Sequence, residues 1–323
     1  MTELLVSGVV TLLGAPLVLR LARSQGIIDV PNARSSHTTP VPRGGGLACL
    51  AGIVVAAVVA HSQGRVVPWH WLLPVLVLTA IGFVDDHRSL SAVSRLAAQV
   101  AAGSYLGWVA GGGWWVAAGA VLAVAVVNIV NFMDGINGIT SLTMAVWGIT
   151  AFAVGQSHAV PSLSLVGALA AGSALGFLPW NFPTARLFLG DAGSYLFGAM
   201  AAVGLLIGWS EGVPVVLLAA PLALYLADTT TVLAKKALRG DPLFEAHREH
   251  AYQRLVSEVG LSHTLVSGLT TIAAVAITLA WIPGFSLLGL VVTLVVLASY
   301  LALPAALAGT AKARLKHKDG MLE

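Results

Sequence analysis

Long apolar stretches, broken at intervals by Gly, Pro or a few charges, run through this 323-residue chain. Eleven approach membrane length: roughly 2–22, 46–61, 69–86, 92–110, 114–132, 138–155, 161–179, 193–209, 213–234, 263–282 and 285–309. A helix of about 20 apolar residues crosses a bilayer core. It also satisfies every backbone polar group within itself, as lipid requires. The expected fold is an all-α polytopic membrane protein of ten or eleven transmembrane helices, forming one integral-membrane domain over 1–323. Several spans are rich in Gly and Ala, which lets helices approach closely.

Polar residues interrupt this pattern in a few places only. The sharpest is Asn128-Ile-Val-Asn-Phe-Met-Asp-Gly-Ile-Asn-Gly138, which follows the uncharged run Val116–Val127. Asn128, Asn131, Asp134 and Asn137 recur every third residue, and such a stripe ending a membrane helix must face water or a partner. Residue-by-residue drift on a helix is small enough at this spacing to keep Asn128, Asn131 and Asp134 on one broad face. Capping would explain one of these side chains but hardly four.

Composition agrees with a membrane chain: 57% of residues are hydrophobic and 10% charged, against about 25% charged in soluble domains. Mean hydropathy is +0.88. The net charge of +3 carries no partner signal, and no nucleic-acid partner is expected. The single cysteine, Cys49, excludes a disulfide within the chain. Leu4–Leu19 has no basic residue ahead of it and reads as a retained first helix rather than a secretory signal.

Charge placement sets an orientation. With eleven spans and the N-terminus outside, only Arg65 of the 17 Lys and Arg falls outside. Basic residues accumulate on the cytoplasmic side, so the C-terminus and nearly all reactive groups are expected there. Cytoplasmic segments include a loop over 235–262 and a basic tail over 310–323. The tail has the character of a topology signal that contacts anionic lipid.

Six further sites stand out. The first cytoplasmic loop, Asp29–Gly46, offers Arg34, His37 and Arg43 as phosphate partners, or is a polar connector. Asp85 and Asp86 are adjacent carboxylates, which repel unless a cation intervenes or one is protonated; a solvated helix end is the other reading. Arg95 on the next span either faces a phosphate or snorkels. Asp191, between Gly190 and Gly193, sits where a helix N-terminus would bind an anion, or is a plain N-cap. Asp228 is an acid within a span, either functional or paired with Lys235, Lys236 or a neighbouring hydroxyl. In the long loop His247 and His250 lack the further ligands of a zinc site, which favours phosphate contact; His61, His70, His158 and His263 read as structural.

Taken in order, Phe83-Val-Asp-Asp86, Asn128-x-x-Asn-x-x-Asp-Gly-x-x-Gly138, Leu189-Gly-Asp-x-Gly-Ser194 and His247-x-x-His-x-Tyr-Gln-Arg254 resemble the polyprenyl-phosphate N-acetylhexosamine-1-phosphate transferases. That resemblance implies transfer of a sugar-1-phosphate from a UDP-sugar to undecaprenyl phosphate with release of UMP, in the bacterial cytoplasmic (inner) membrane. It implies Mg²⁺, or Mn²⁺, on Asp191 with Asn131 beside it. Asp85 and Asp86 match the family's acid pair, and Asp134 the acid on the nucleotide side. Arg95 matches a basic residue near phosphate, and His247, Arg248 and His250 match a loop over the diphosphate. Asn128, Asn137, Arg34 and Arg43 complete the expected substrate contacts. Two departures matter: Asn137 stands where relatives often have an acid, and His-Arg-Glu-His replaces the three histidines of the muramoyl-pentapeptide branch. The resemblance therefore points to UDP-N-acetylglucosamine or a 6-deoxy relative, and to O-antigen or other surface polysaccharides. Homodimerisation stays open. An intramembrane aspartyl protease would need Gly and Tyr where Phe188 and Ala227 stand, and a transporter would show an internal repeat.

Overall fold

Every one of these apolar stretches becomes helical in the computed structural model, which describes residues 1–31, 36–242, 248–283 and 286–319, with side chains to 308. The chain runs through α1 (Thr2–Ser24), α2 (Gly46–Ser62), α3 (Trp69–Arg88), α4 (Ala92–Ala110), α5 (Trp114–Met133), α6 (Ile139–Ser157) and α7 (Pro161–Asn181). It continues through α8 (Gly190–Ser210), α9 (Val215–Ala219), α10 (Ala223–Arg239), α11 (Ala251–Ser257), α12 (His263–Trp281) and α13 (Leu287–Asp319). Among the described residues nine segments are long and apolar enough to cross a membrane, with α9 and α10 forming one of them. The other two expected spans fall short: α2 is apolar but has 17 residues, and α4 carries Arg95 and Gln99. Pro221 interrupts the ninth segment, because a proline inside a helix removes a hydrogen bond and crowds the preceding turn; a short 3₁₀ turn, Ala220–Leu222, joins the halves.

The central helix is α8, buried along almost its whole length. It is apolar on all sides, as a helix surrounded by others must be. Helices α3 and α5 pack on it. Helix α4 lies along α5 where Gly103 and Gly119 cross, and a Cβ on either would meet the other's carbonyl oxygen at 2.4 Å. Outward faces, such as Leu5, Val9, Leu13 and Leu17 of α1, are apolar and exposed. That is the pattern lipid contact requires.

The polar positions collect at one end of the bundle. The ends of α3 and α5 and the starts of α2, α8 and α11 meet there. The first loop reaches across them through a two-residue antiparallel ladder, Ile28–Asp29 with Val41–Pro42. It then pairs with the segment before α8: Phe188 donates its N–H to Pro42, and Gly45 and Gly46 donate to Phe188 and Leu189. Helix α11 within the 235–262 loop, and the continuation of α13 as helix to Asp319, are features the hydropathy pattern does not give.

Candidate active site

A helix starts with backbone N–H groups that have no partner within the helix. At α8 a buried carboxylate supplies them. Asp86, in the last turn of α3, accepts from the N–H of Asp191 (3.0 Å) and Ala192 (3.1 Å) through its two oxygens. The helix dipole favours the negative charge there. Gly190 holds φ +70°, and a Cβ on it would lie 2.5 Å from Asp86 Oδ2. Arg43, from the first loop, donates to the Asp86 carbonyl and sits 3.7 Å from its carboxylate. Neighbouring residues on a helix project about 100° apart, so Asp85 turns elsewhere. Its oxygens accept from Leu90 N–H (2.6 Å) and from Arg95 (3.2 Å). Arg95 also lies near the Tyr195 hydroxyl.

The stripe of four polar residues divides. Asn131 and Asp134 face a cavity of about 360 Å³ that Asp86 and Asp191 also line. Asn131 Oδ1 accepts from Ser194 Oγ on α8 at 2.7 Å. Asp134 ends α5, and burial pushes its carboxyl up to about 7; the Thr140 hydroxyl opposes that rise and the Asp86 charge adds to it. Asn128 points away, donating to Gln99 Oε1 (2.6 Å) and the Val124 carbonyl (2.7 Å). Asn137 lies beyond the helix end and braces the loop. Its Nδ2 donates to the Pro183 carbonyl at 3.1 Å, and its backbone meets His263 and Ser267.

The first loop closes the other side of this cavity with Asp29, Ser36, His37 and Arg43. His263 fixes that loop to the stripe. Its Nδ1 faces the Asn137 N–H (3.4 Å) and its Nε2 the Ser36 carbonyl (3.0 Å). A backbone N–H can only donate, so Nδ1 accepts and the proton sits on Nε2.

Helix α11 supplies the remaining wall through Gln253. A second buried carboxylate holds it: Asp228, 1% exposed, accepts from Ala251 N–H at 3.0 and 2.9 Å. His250 Nδ1 stands 3.3 Å from Asp228 and the Tyr300 hydroxyl 3.4 Å. Tyr252, whose phenol burial pushes well above its usual pKa, donates to the Phe132 carbonyl at 2.9 Å and so ties α11 to the end of α5. His250 is thereby buried beside Asp228, outside the cavity lining. Arg248 precedes it and lines neither cavity. Arg34 and His247 lie outside the described residues.

A second cavity, about 460 Å³, opens along α4, α5 and α10. Leu96, Val124, Ile129, Phe132, Leu226 and Leu233 make it apolar, and Arg95, Gln99, Asn128 and Asn131 are among its few polar members. Asn131 alone lines both cavities among the described residues.

The sequence assigns no role to Asn181 or Gln99, and marks Gln253 and Ser194 only as motif positions. Asn181 accepts the Gly138 N–H at 2.7 Å and donates to Leu187; its only trace in the sequence is an amide at a span end next to Phe182-Pro183. Among the described residues no three His, Cys, Asp or Glu side chains converge as a metal cage. Asp191 and Asn131 offer hard oxygen donors in one cavity. So sparse a set fits the coordination habit of Mg²⁺, which keeps several waters and binds through one or two protein oxygens plus substrate phosphates.

Comparison with known proteins agrees with this geometry. The family model described as glycosyl transferase family 4 matches residues 68–209. The chain is 30% identical over 310 residues to the decaprenyl-phosphate N-acetylglucosaminephosphotransferase of Mycobacterium tuberculosis, covering 81% of this chain and 76% of that one. It is 27% identical over 289 residues to the probable undecaprenyl-phosphate N-acetylglucosaminyl 1-phosphate transferase of Bacillus subtilis, covering 81% and 78%. It is 34% identical over 243 residues to the phospho-N-acetylmuramoyl-pentapeptide-transferase of Moorella thermoacetica, covering 63% and 73%. Similarity of this extent makes the chain a sugar-1-phosphate transferase and a member of the polyprenyl-phosphate N-acetylhexosamine-1-phosphate transferase family.

Proposed function

We propose that this protein moves N-acetylglucosamine-1-phosphate from UDP-N-acetylglucosamine to a polyprenyl phosphate at the cytoplasmic face of a bacterial inner membrane, releasing UMP. The observation that carries this reading is the position of Asn131 between a polar cavity and an apolar groove. A nucleotide-sugar fits the first and a prenyl chain the second, so their phosphates would meet at that residue. An eleven-span topology with the N-terminus outside supports the placement, because it gathers both cavities and all but one of the Lys and Arg on one side.

An oxygen of the carrier phosphate attacks the β-phosphorus of the UDP-sugar. The bond from that phosphorus to the bridging oxygen breaks, and the oxygen leaves on UMP. Charge balances without a proton transfer, since the attacking phosphate is already anionic. General-base help from Asp85 or Asp86 is therefore not required. The engagement of Asp86 with the start of α8 and with Arg43 supports a positioning role. Asp191 and Asn131 would hold Mg²⁺, which when bound neutralises charge on the diphosphate oxygens. Arg43 and His37 face the donor's phosphates from the first loop, and Arg95 faces the carrier's from the groove. Asp134 and Gln253 lie on the far wall and are placed for hydrogen bonds to the nucleoside.

The lipid-linked product would start a surface polysaccharide. Relatives of the muramoyl-pentapeptide branch match less of the chain, and their UDP-linked donor belongs in the test. Purified protein with Mg²⁺ should release UMP only when UDP-N-acetylglucosamine and undecaprenyl phosphate are both present, and Asn131→Leu should abolish it. Release from the muramoyl-pentapeptide donor instead would reassign the substrate. No release with any donor would remove the reading.

A further inference from the structure

Among the described residues, two buried polar groups that line the apolar groove have no protein partner, the Thr229 hydroxyl and the Gln99 amide nitrogen, and the second is the stronger donor. Gln99 is 1% exposed, and its Nε2 has no acceptor, whereas its Oε1 accepts from Asn128 Nδ2. The orientation of both amides is fixed by a third group. Asn128 Nδ2 also donates to the Val124 carbonyl, so turning the Asn128 amide over would set oxygen against oxygen. The free donor therefore belongs to Gln99. A buried N–H₂ without an acceptor is costly in an apolar setting, and the residue that carries it is part of the groove wall.

Arg95 lies four residues earlier on α4, on the same face, and lines the same groove. One helical turn, about 6 Å of rise, separates the two. A prenyl phosphate carries oxygen at one end only. We infer that Gln99 donates to a phosphate oxygen of the prenyl carrier, with Arg95 on the outer side of the same group. Gln99 then sets how deeply the carrier's phosphate sits in the groove, and Asn128 orients Gln99. The inference rests on the transferase reading above and assigns one residue within it.

Two substitutions test it. Gln99→Glu keeps the acceptor for Asn128 and the side-chain size but replaces the donor. Gln99→Leu removes the unpaired group altogether. Both should raise KM for undecaprenyl phosphate by roughly ten-fold or more, the loss expected of a hydrogen bond to a charged group. KM for UDP-N-acetylglucosamine should stay near wild type, which separates the carrier's phosphate from the donor's diphosphate. Gln99→Leu should unfold at or above the wild-type temperature. An unchanged carrier KM in both variants, an equal rise in donor KM, or a Gln99→Leu protein that unfolds early would each overturn the assignment. Wild-type protein that transfers nothing would instead sink the transferase reading itself.

Discussion

Asp228→Ala is the substitution whose cost can be worked out most fully. The carboxylate receives the N–H of Ala251 on both oxygens and has His250 at 3.3 Å. Asp228 and His250 are 1% and 3% exposed, so solvent does not weaken these contacts as it does at a surface. Removing one member of such a buried group costs about 3–5 kcal/mol. Relief of the buried carboxylate's desolvation offsets part of this, which favours the lower end, about 3 kcal/mol. The loss should be local. Helix α11 has seven residues, too few to be stable without tertiary contacts. Amide hydrogen exchange in α11 should therefore accelerate roughly a hundred-fold, with α8 unchanged. UMP release should fall as Tyr252 and Gln253 lose their places. Asp228→Asn keeps one acceptor and should show a smaller effect. Exchange in α11 within about three-fold of wild type in the alanine variant would refute the claim that Asp228 holds this helix.

Three other outcomes follow. Asp191→Asn should insert and fold but lose turnover by roughly a hundred-fold or more, and a chelator should stop the wild type until Mg²⁺ is restored; UMP release reads both. Gly190→Ala forces a side chain into a left-handed backbone and against Asp86, so it should cost at least about 1 kcal/mol and reduce turnover, as thermal unfolding and UMP release would record. Asp134 holds its proton up to about pH 7 in the folded protein, against an ordinary value of 3.8. Between those values the unfolded chain has released the proton and the folded one has not, so stability should fall as pH rises through this window and level off above it. Asp134→Asn should flatten that part of a thermal-unfolding profile.

The helices were legible because lipid imposes a length and an apolarity that few other structures share. Where the apolar pattern is weakest, polar function is the cause: α4 carries Arg95 and Gln99, which line the groove. Asp191 was readable as a helix start because Gly190 precedes it. The division of the stripe was not readable. Its spacing implies one face only while the helix lasts, and α5 stops at Met133, so Asn137 follows loop geometry instead. The work of Asp86 and Asp228 was hidden for a different reason. Their main partners are backbone N–H groups, which any residue carries, on elements 105 and 23 positions away. Gln99 belongs to no motif, and only the absence of a partner for its amide marks it.

The central claim is that the sugar travels with its phosphate from the nucleotide to the lipid. UDP-N-acetylglucosamine labelled on the β-phosphorus, incubated with the purified protein, Mg²⁺ and undecaprenyl phosphate, tests this directly. Label should move into the lipid phase as UMP is released in equal amount. Label retained in the aqueous phase as UDP, with unlabelled sugar on the lipid, would contradict it.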